Sequence, residues 1–336
     1  MYILTMNKNF IYYIIGLSGI IFIVIAVLLL GKALSERTLV CTGYRCDSHS
    51  SNLHANVSDD TVYIELNRTQ ILIRNNSKKP VFLVYDAMLY KNKPDLAAYG
   101  LKRDWIVYST SLWPKGTSFR NPDALNPNQD YARNAAIDSI DKSYNDLVQL
   151  DIEDWQTDDR LVSKVQVNRS IMKMRQEIAW FKSEAPQLKI GYYSMLPVNP
   201  YWDEPMDNAT LKSWMAADDN LVPLVQDVDA LFPSLYTYYK DSAGWVSFAR
   251  AYIKEAKRIG GGKPVYALVW PQYHDKSDYN GEYIDYAFWK LQLQTIRDSG
   301  ADGIIIWGSS GSQWDQNQGW WNATKDFMKE LNNTRS

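Results

Sequence analysis

The chain contains few histidines and few cysteines, and this scarcity excludes several classes of enzyme. Its three histidines, His49, His54 and His274, are too scattered for a zinc motif or a serine–histidine–aspartate triad. There is no phosphate-cradling or dinucleotide-binding loop, because the glycines at 260–262 precede a predicted strand instead of opening a helix. The sequence therefore predicts neither a metal nor a cofactor.

The chain also lacks a strong excess of charge of either sign. Its 36 Lys and Arg against 38 Asp and Glu leave a formal net charge of −2, and this balance predicts no nucleic-acid partner. The two cysteines, Cys41 and Cys46, lie close together in the sequence. In an oxidising compartment they could form a disulfide, whereas two such thiols alone make a weak metal site.

One long apolar run is present near the N-terminus. Residues 10–31 carry no charge and are long enough to cross a bilayer, which predicts a membrane signal anchor after a short cytoplasmic tail at 1–9. Seven glycosylation sequons follow this run, at Asn56, Asn67, Asn75, Asn168, Asn208, Asn322 and Asn332. They predict a single-pass type II membrane glycoprotein whose larger part is extracellular or in the secretory or endolysosomal lumen. The alternative is an Asn-rich chain without glycans.

After this anchor, the hydrophobic pattern divides the chain into two parts. Residues 32–79 predict a polar stalk and a hairpin at 61–74, and residues 80–333 predict strands that alternate with helices. The predicted strands cover residues 81–85, 105–108, 147–152, 188–193, 230–236, 264–270 and 303–307. The predicted helices cover residues 131–144, 163–183, 209–217, 243–258, 283–299 and 321–331. This alternation predicts an α/β fold with a parallel sheet, either closed as a barrel or open and doubly wound.

The third predicted strand ends in two acids. Asp151 and Glu153 are two positions apart, so on a strand their side chains point to the same face. Paired carboxyl groups are what glycoside hydrolysis needs, because one protonates the leaving oxygen while the other handles the positive charge. The alternative is a pair of solvated acids at the start of a loop.

Aromatic residues occur at the ends of the later strands. Tyr192 and Tyr193, Tyr236, Trp270 and Trp307 each follow or end a predicted strand. In a parallel barrel all these ends lie on one rim, where the active sites of such barrels are found. Two acids among aromatic rings predict a carbohydrate cleft, although any one ring could instead belong to the core.

At these rim motifs the sequence resembles the hyaluronidases, a family of glycoside hydrolases that cleave polymers containing N-acetylhexosamine. Residues 150–155 (LDIEDW) resemble the family's strand-end D-x-E motif with its following tryptophan. Residues 191–193 (GYY) are similar to its G-F-Y segment, 232–236 (FPSLY) to its Y-P-S-I-Y segment, and 300–308 (GADGIIIWG) to its G-A-x-G ending. The four motifs occur in the family's order across residues 80–331.

The resemblance implies a distorted TIM-like (β/α) barrel of seven strands and a retaining, substrate-assisted endo-N-acetylhexosaminidase acting on hyaluronan or a chondroitin-like polymer. Glu153 would be the general acid and then the general base. Asp151 would orient the substrate's acetamido group, whose oxygen attacks the anomeric carbon. The substrate-binding residues would be Tyr193, Tyr236, Trp307, Trp270 and Asp86.

The chain departs from the family pattern at three points. Gln156 replaces the arginine that usually follows the tryptophan, Asp86 replaces an asparagine, and the family's core disulfides are absent because no cysteine follows Cys46. Two alternatives therefore accompany the hyaluronidase-like function. One is a glycan-binding barrel with weak or lost turnover, and the other is a retaining glycosidase with its own nucleophile, for instance Asp86 or Asp241.

Overall fold

The computed structural model describes residues 81–333 except 122–123, 144–145 and 200–207, and before residue 81 it describes only strands. The chain divides into two compact units, Met1–Pro80 and Val81–Ser336. The first unit contains β1 (Tyr2–Thr5), β2 (Ile11–Leu17), β3 (Ile20–Val24), β4 (Leu39–Thr42), β5 (Arg45–Ser48), β6 (Leu53–Ser58), β7 (Thr61–Leu66) and β8 (Thr69–Arg74).

These strands form two antiparallel sheets, β1-β2-β3 and β4-β5-β6-β7-β8. Strands β7 and β8 make the hairpin that the alternation at 61–74 predicts. Cys41 and Cys46 are partners in the register of β4 and β5. Their side chains lie outside the described part of the molecule, so the disulfide stays a prediction.

Among the described residues, the membrane helix predicted over residues 10–31 is not found. In the described part of the chain, no helix combines the length and the apolar character that crossing a bilayer requires. Strands β2 and β3 occupy part of the predicted span, and residues 25–31 lie outside the described residues. An apolar run rich in Ile and Val fits a strand as well as a helix, so its composition cannot decide between them.

The second unit is a parallel α/β fold. Its strands are β9 (Leu83–Met88), β10 (Lys102–Tyr108), β11 (Leu147–Asp151), β12 (Lys189–Tyr192), β13 (Tyr266–Val269) and β14 (Gly303–Gly308). They are hydrogen-bonded in the order β12-β11-β10-β9-β14-β13, with every pairing parallel. The helices are α1 (Gln129–Lys142), α2 (Lys164–Glu184), α3 (Asn208–Asp219), α4 (Val222–Asp227), α5 (Ser242–Gly260), α6 (Tyr286–Asp298) and α7 (Gly319–Asn333).

The fifth of the seven predicted strands, over residues 230–236, is not a regular strand. The 230–236 segment instead makes isolated bridges. Phe232 pairs with Tyr193 next to β12, Leu231 pairs with Val265 just before β13, and Ser234 pairs with Leu268 within β13. Pro233 has no amide hydrogen to donate, so a continuous ladder is interrupted at the centre of this segment. The sheet therefore has six strands, and the 230–236 segment links its two edges through backbone hydrogen bonds.

The strands bury different residues on their two faces. One cluster contains no helix residue, so it fills the space that the strands enclose, the interior of the barrel. It is formed by alternate strand positions such as Tyr85, Leu147, Tyr266, Leu268 and Ile305. The larger cluster lies between the outer face of the sheet and the helices. Side chains alternate between the two faces along each strand, so residues an even number of positions apart share a face and are said here to have the same parity. Only residues with the parity of the interior cluster can reach the mouth of the barrel.

Candidate active site

Asp151 and Glu153 line the same cavity, which has a volume of about 440 Å³. Asp151 is the last residue of β11. It has the same parity as Leu147, which belongs to the interior cluster, so its side chain is directed into the barrel. Glu153 lies two residues further on and is more exposed than Asp151. The predicted pair is therefore brought together at one mouth.

Four of the predicted aromatic residues form a wall of this cavity. Tyr193, Tyr236, Trp270 and Trp307 all line it. The ring centroids of Tyr236 and Trp307 lie 5.8 Å apart in a stacked arrangement, and those of Trp270 and Trp307 lie 4.7 Å apart, edge to face. The ring of Tyr193 extends this wall, and its centroid lies 6.1 Å from that of Tyr236. Such ring faces suit the apolar side of a sugar. Tyr192, in contrast, is fully buried in the outer cluster.

Hydrogen bonds hold the polar tips of three of these rings. The Trp307 Nε1 donates to the hydroxyl of Tyr108 at 3.1 Å, and the hydroxyl of Tyr193 lies 3.5 Å from Ser234 Oγ. The Trp270 Nε1 donates to Gln272 Oε1 at 3.3 Å. Because each polar tip has a partner, the orientation of the ring is defined by hydrogen bonding as well as by packing.

Both carboxyl groups retain protons more readily than an exposed acid does. Burial, followed by the negative charges of Glu153 and Asp154, raises the pKa of Asp151 to about 7. Burial also raises the pKa of Glu153, while Lys276 opposes that rise and Asp154 and Asp275 add to it. A protonated carboxyl beside a second carboxyl is the arrangement required to donate a proton to a leaving oxygen and to stabilise developing positive charge.

Asp86, which the resemblance places among the substrate-binding residues, does not line the cavity. Tyr85 and Ala87 belong to the interior cluster, so Asp86 between them has the opposite parity on β9. Its carboxylate pairs with Lys93 and accepts a hydrogen bond from the amide of Met88 at 3.0 Å. The placement of Asp86 in the substrate site is therefore corrected.

A loop that the motifs do not identify supplies several further residues of the cavity lining. Residues 271–284, here called the 271–284 loop, follow β13 and contribute Gln272, His274, Asp275, Asn280 and Gly281 to the cavity. The loop folds back on itself through a bridge between Gln272 and Tyr283. In the sequence, only the length of this loop after a predicted strand indicates a functional role, because the loops that follow barrel strands carry active-site residues. Ile106, Ser309 and Ser312 complete the lining.

The other predicted sites lie away from the cavity or outside the described residues. Asn168 is exposed on α2, Asn332 is exposed at the end of α7, and Asn322 is partly buried on α7 with its amide donating to Asn317 O. The side chains of Asn56, Asn67, Asn75 and Asn208 lie outside the described part. Glycosylation of all seven positions stays a prediction.

Sequence comparison finds similarity to hyaluronidases from insects. The chain is 34% identical to a hyaluronidase of Apis mellifera over 102 residues, which are 29% of this chain and 26% of the relative. It is 30% identical to a hyaluronidase of Polybia paulista over 143 residues, which are 41% of this chain and 48% of the relative. The chain thus spans less than half the length of these curated relatives. No protein-family model matches the chain.

Structural comparison finds the same fold. Bee venom hyaluronidase superposes with a TM-score of 0.53 at 21% identity, over 75% of this chain and 97% of that one. The same enzyme in complex with a hyaluronic acid tetramer superposes with a TM-score of 0.52. In part of its sequence and in its fold, the chain is similar to glycoside hydrolases. Within that class the chain is hyaluronidase-like, which confirms the resemblance given by its rim motifs.

Proposed function

We propose that the protein hydrolyses glycosidic bonds within a polysaccharide that contains N-acetylhexosamine, of the hyaluronan or chondroitin type, by a retaining, substrate-assisted mechanism. The observation that carries this proposal is that Asp151 and Glu153 line one cavity whose wall is made of Tyr193, Tyr236, Trp270 and Trp307. The similarity to insect hyaluronidases supports the choice of polymer.

In this mechanism Glu153 protonates the departing glycosidic oxygen. The acetamido oxygen of the sugar attacks the anomeric carbon from the opposite face, and Asp151 stabilises the positive charge that develops on the acetamido nitrogen. Deprotonated Glu153 then accepts a proton from water, which opens the cyclic intermediate and restores the configuration. The raised pKa of Glu153 favours the first step, because the group remains protonated at a higher pH.

One observation favours a second mechanism. Asp275 carries a third carboxyl group in the described lining of the cavity and could act as a protein nucleophile. The two acids suggested by the sequence are less suited to this role. Asp86 is paired with Lys93, and Asp241 caps the N-terminus of α5 by accepting from Gly244 N at 3.0 Å. Trapping with a fluorinated sugar separates the mechanisms, since it labels Asp275 in the second and no carboxyl group in the first.

The direct test compares the purified full chain with its Glu153→Gln variant on hyaluronan, chondroitin and chitin oligomers. We expect the wild type to release oligosaccharides, and the variant to bind the polymer without cleaving it, because the amide preserves shape but cannot donate the proton. Glu184→Gln at the end of α2 is the matched control. Binding by the wild type without any cleavage would instead identify a glycan-binding barrel.

The type II membrane anchor and the extracellular or lumenal location are further proposals. They rest on the uncharged run at 10–31 and on the sequons that follow it. Protease protection of the full chain in intact microsomes tests them: a C-terminal unit that is digested without detergent would contradict the proposed orientation.

A further inference from the structure

Gln272 is buried beside Trp270, where its side-chain amide joins four segments of the barrel mouth. Its Oε1 accepts hydrogen bonds from Ser312 Oγ at 3.0 Å, from the hydroxyl of Tyr90 at 3.2 Å and from Trp270 Nε1 at 3.3 Å. Its Nε2 donates to Gly281 O at 2.9 Å. The four segments are the one just after β9, which carries Tyr90, the one just after β13, which carries Trp270, the loop after β14, and the part of the 271–284 loop around Gly281.

Chemistry determines the orientation of this amide. An indole N–H can only donate and a backbone carbonyl can only accept, so Oε1 must face Trp270 and Nε2 must face Gly281. The reversed orientation would place two donors against each other and two acceptors against each other. At this buried position each lost bond would cost free energy, since no water replaces the partner.

The ring that Gln272 holds is part of the cavity wall. Trp270 is buried, and its indole packs edge to face on Trp307 and contacts Tyr236, with 5.8 Å between the ring centroids. The indole N–H of Trp270 and the hydroxyl of Tyr90 both donate to Gln272 Oε1, so the amide links the indole to the phenol. A rotation of the Trp270 ring would change the shape of the surface that faces the sugar.

We infer that Gln272 is a positioning residue for the proposed reaction: it sets the plane of Trp270 and holds the 271–284 loop at the cavity that Asp151 also lines. This inference rests on the proposed function. Gln272 itself lines the cavity, but its hydrogen-bonding atoms are engaged with the protein. It therefore acts on the substrate through the ring and the loop that it holds.

The test uses Gln272→Met in the full chain, which keeps the length of the side chain and removes its hydrogen bonds. We expect kcat/KM on the best polymer to fall about tenfold, mainly through KM, because a displaced ring binds the sugar less well while Glu153 and Asp151 are unchanged. Gln294→Met on α6, which loses one contact to Glu330, is the matched control and should stay within twofold.

A double-mutant cycle with Trp270→Phe shows whether the effect passes through the indole. Trp270→Phe removes the Nε1 donor, so Gln272→Met should cost clearly less in that background than in the wild type. Equal costs in both backgrounds, or wild-type kcat/KM for Gln272→Met, would overturn the inference. If Gln272→Met does not fold, Gln272→Leu, which also removes both hydrogen-bonding atoms, is used in the same cycle.

Failure of this inference is distinguishable from failure of the proposed function. A wild type that cleaves no polymer contradicts the proposed function alone. The same variants are then compared by calorimetry for the Kd of a chitin oligomer, for which the inference again predicts about a tenfold weakening for Gln272→Met and non-additivity with Trp270→Phe.

Discussion

At the scale of single residues, the proposed chemistry gives Asp151 and Glu153 different tasks in one cavity. Glu153 is the more exposed and can reach a leaving oxygen, whereas Asp151 lies deeper, at the end of β11. Burial and the neighbouring acids raise the pKa of Asp151 to about 7. The ionised form of a carboxyl in this setting is stabilised by a nearby positive charge, such as the one that the proposed reaction develops on the substrate.

Asp151→Asn should therefore separate activity from stability. We expect kcat to fall about 10²–10³-fold, as when a preorganised charge is removed from a transition state. The unfolding midpoint at pH 7.5 should not fall, because the amide removes a buried like charge beside Glu153 and Asp154. Steady-state kinetics and thermal melts measure the two effects. A loss of stability with full activity would contradict the assigned role.

At the scale of an element, the 271–284 loop carries two charges that act on the pKa of Glu153, the proposed general acid. Lys276 lowers the pKa of Glu153 and Asp275 raises it, although both belong to the same loop. Asp275→Asn should therefore move the alkaline limb of the kcat/KM profile to lower pH, and Lys276→Gln should move it to higher pH. Profiles between pH 4 and 9 measure both shifts.

The two loop variants control for each other, since they are neighbours with opposite expected signs. Added salt should reduce both shifts, because exposed charges are screened over about 10 Å at 0.1 M ionic strength. Shifts of the same sign in both variants would show that the titrating group is not Glu153.

A second element, the 230–236 segment, reaches β12 through a glycine. A Cβ at Gly191 would overlap the carbonyl oxygen of Ala230 and the ring of Phe232. Gly191→Ala should therefore displace the segment that carries Tyr236 and lower the free energy of unfolding by about 3 kcal/mol. Urea denaturation measures this change. Gly311→Ala, where a Cβ meets nothing closer than 3.6 Å, should cost much less, and equal costs would contradict the close approach.

At the scale of the whole molecule, buried carboxyl groups make the fold sensitive to pH. Burial raises the pKa of Asp104 to about 8 and that of Glu177 to about 8. Neither oxygen of Glu177 has a hydrogen-bond partner among the described residues. Between the normal pKa of an unfolded acid and these raised values, the folded state binds more protons than the unfolded state, so stability falls as pH rises.

The free energy of unfolding should thus decrease from about pH 4 to pH 8, by up to about 1.4 kcal/mol per pH unit for each such group. Urea denaturation at pH 5, 7 and 9 measures the slope. Glu177→Gln should flatten it and stabilise the protein at pH 9, whereas Asp138→Asn, at an exposed position on α1, should leave it unchanged. A steeper slope for Glu177→Gln would contradict a buried, proton-retaining Glu177.

By itself, the sequence determined the local features of this protein. Strand β11 with its terminal acids, the alternation of strands and helices, and the aromatic residues at strand ends follow from hydrophobic periodicity, which is a property of neighbouring residues. The pairing of Asp151 and Glu153 was predicted because residues two apart on a strand share a face; β11 ends at Asp151, and both residues line the cavity although Glu153 lies beyond the strand.

Only the tertiary structure decided which of these residues share the cavity. Asp86 is excluded by its parity on β9, and the 230–236 segment bridges two edges without forming a strand because Pro233 interrupts the ladder. Gln272 could not be found from the sequence, since its partners Tyr90 and Ser312 lie far away along the chain. Contacts between distant residues depend on how the strands assemble, and no local pattern encodes that arrangement.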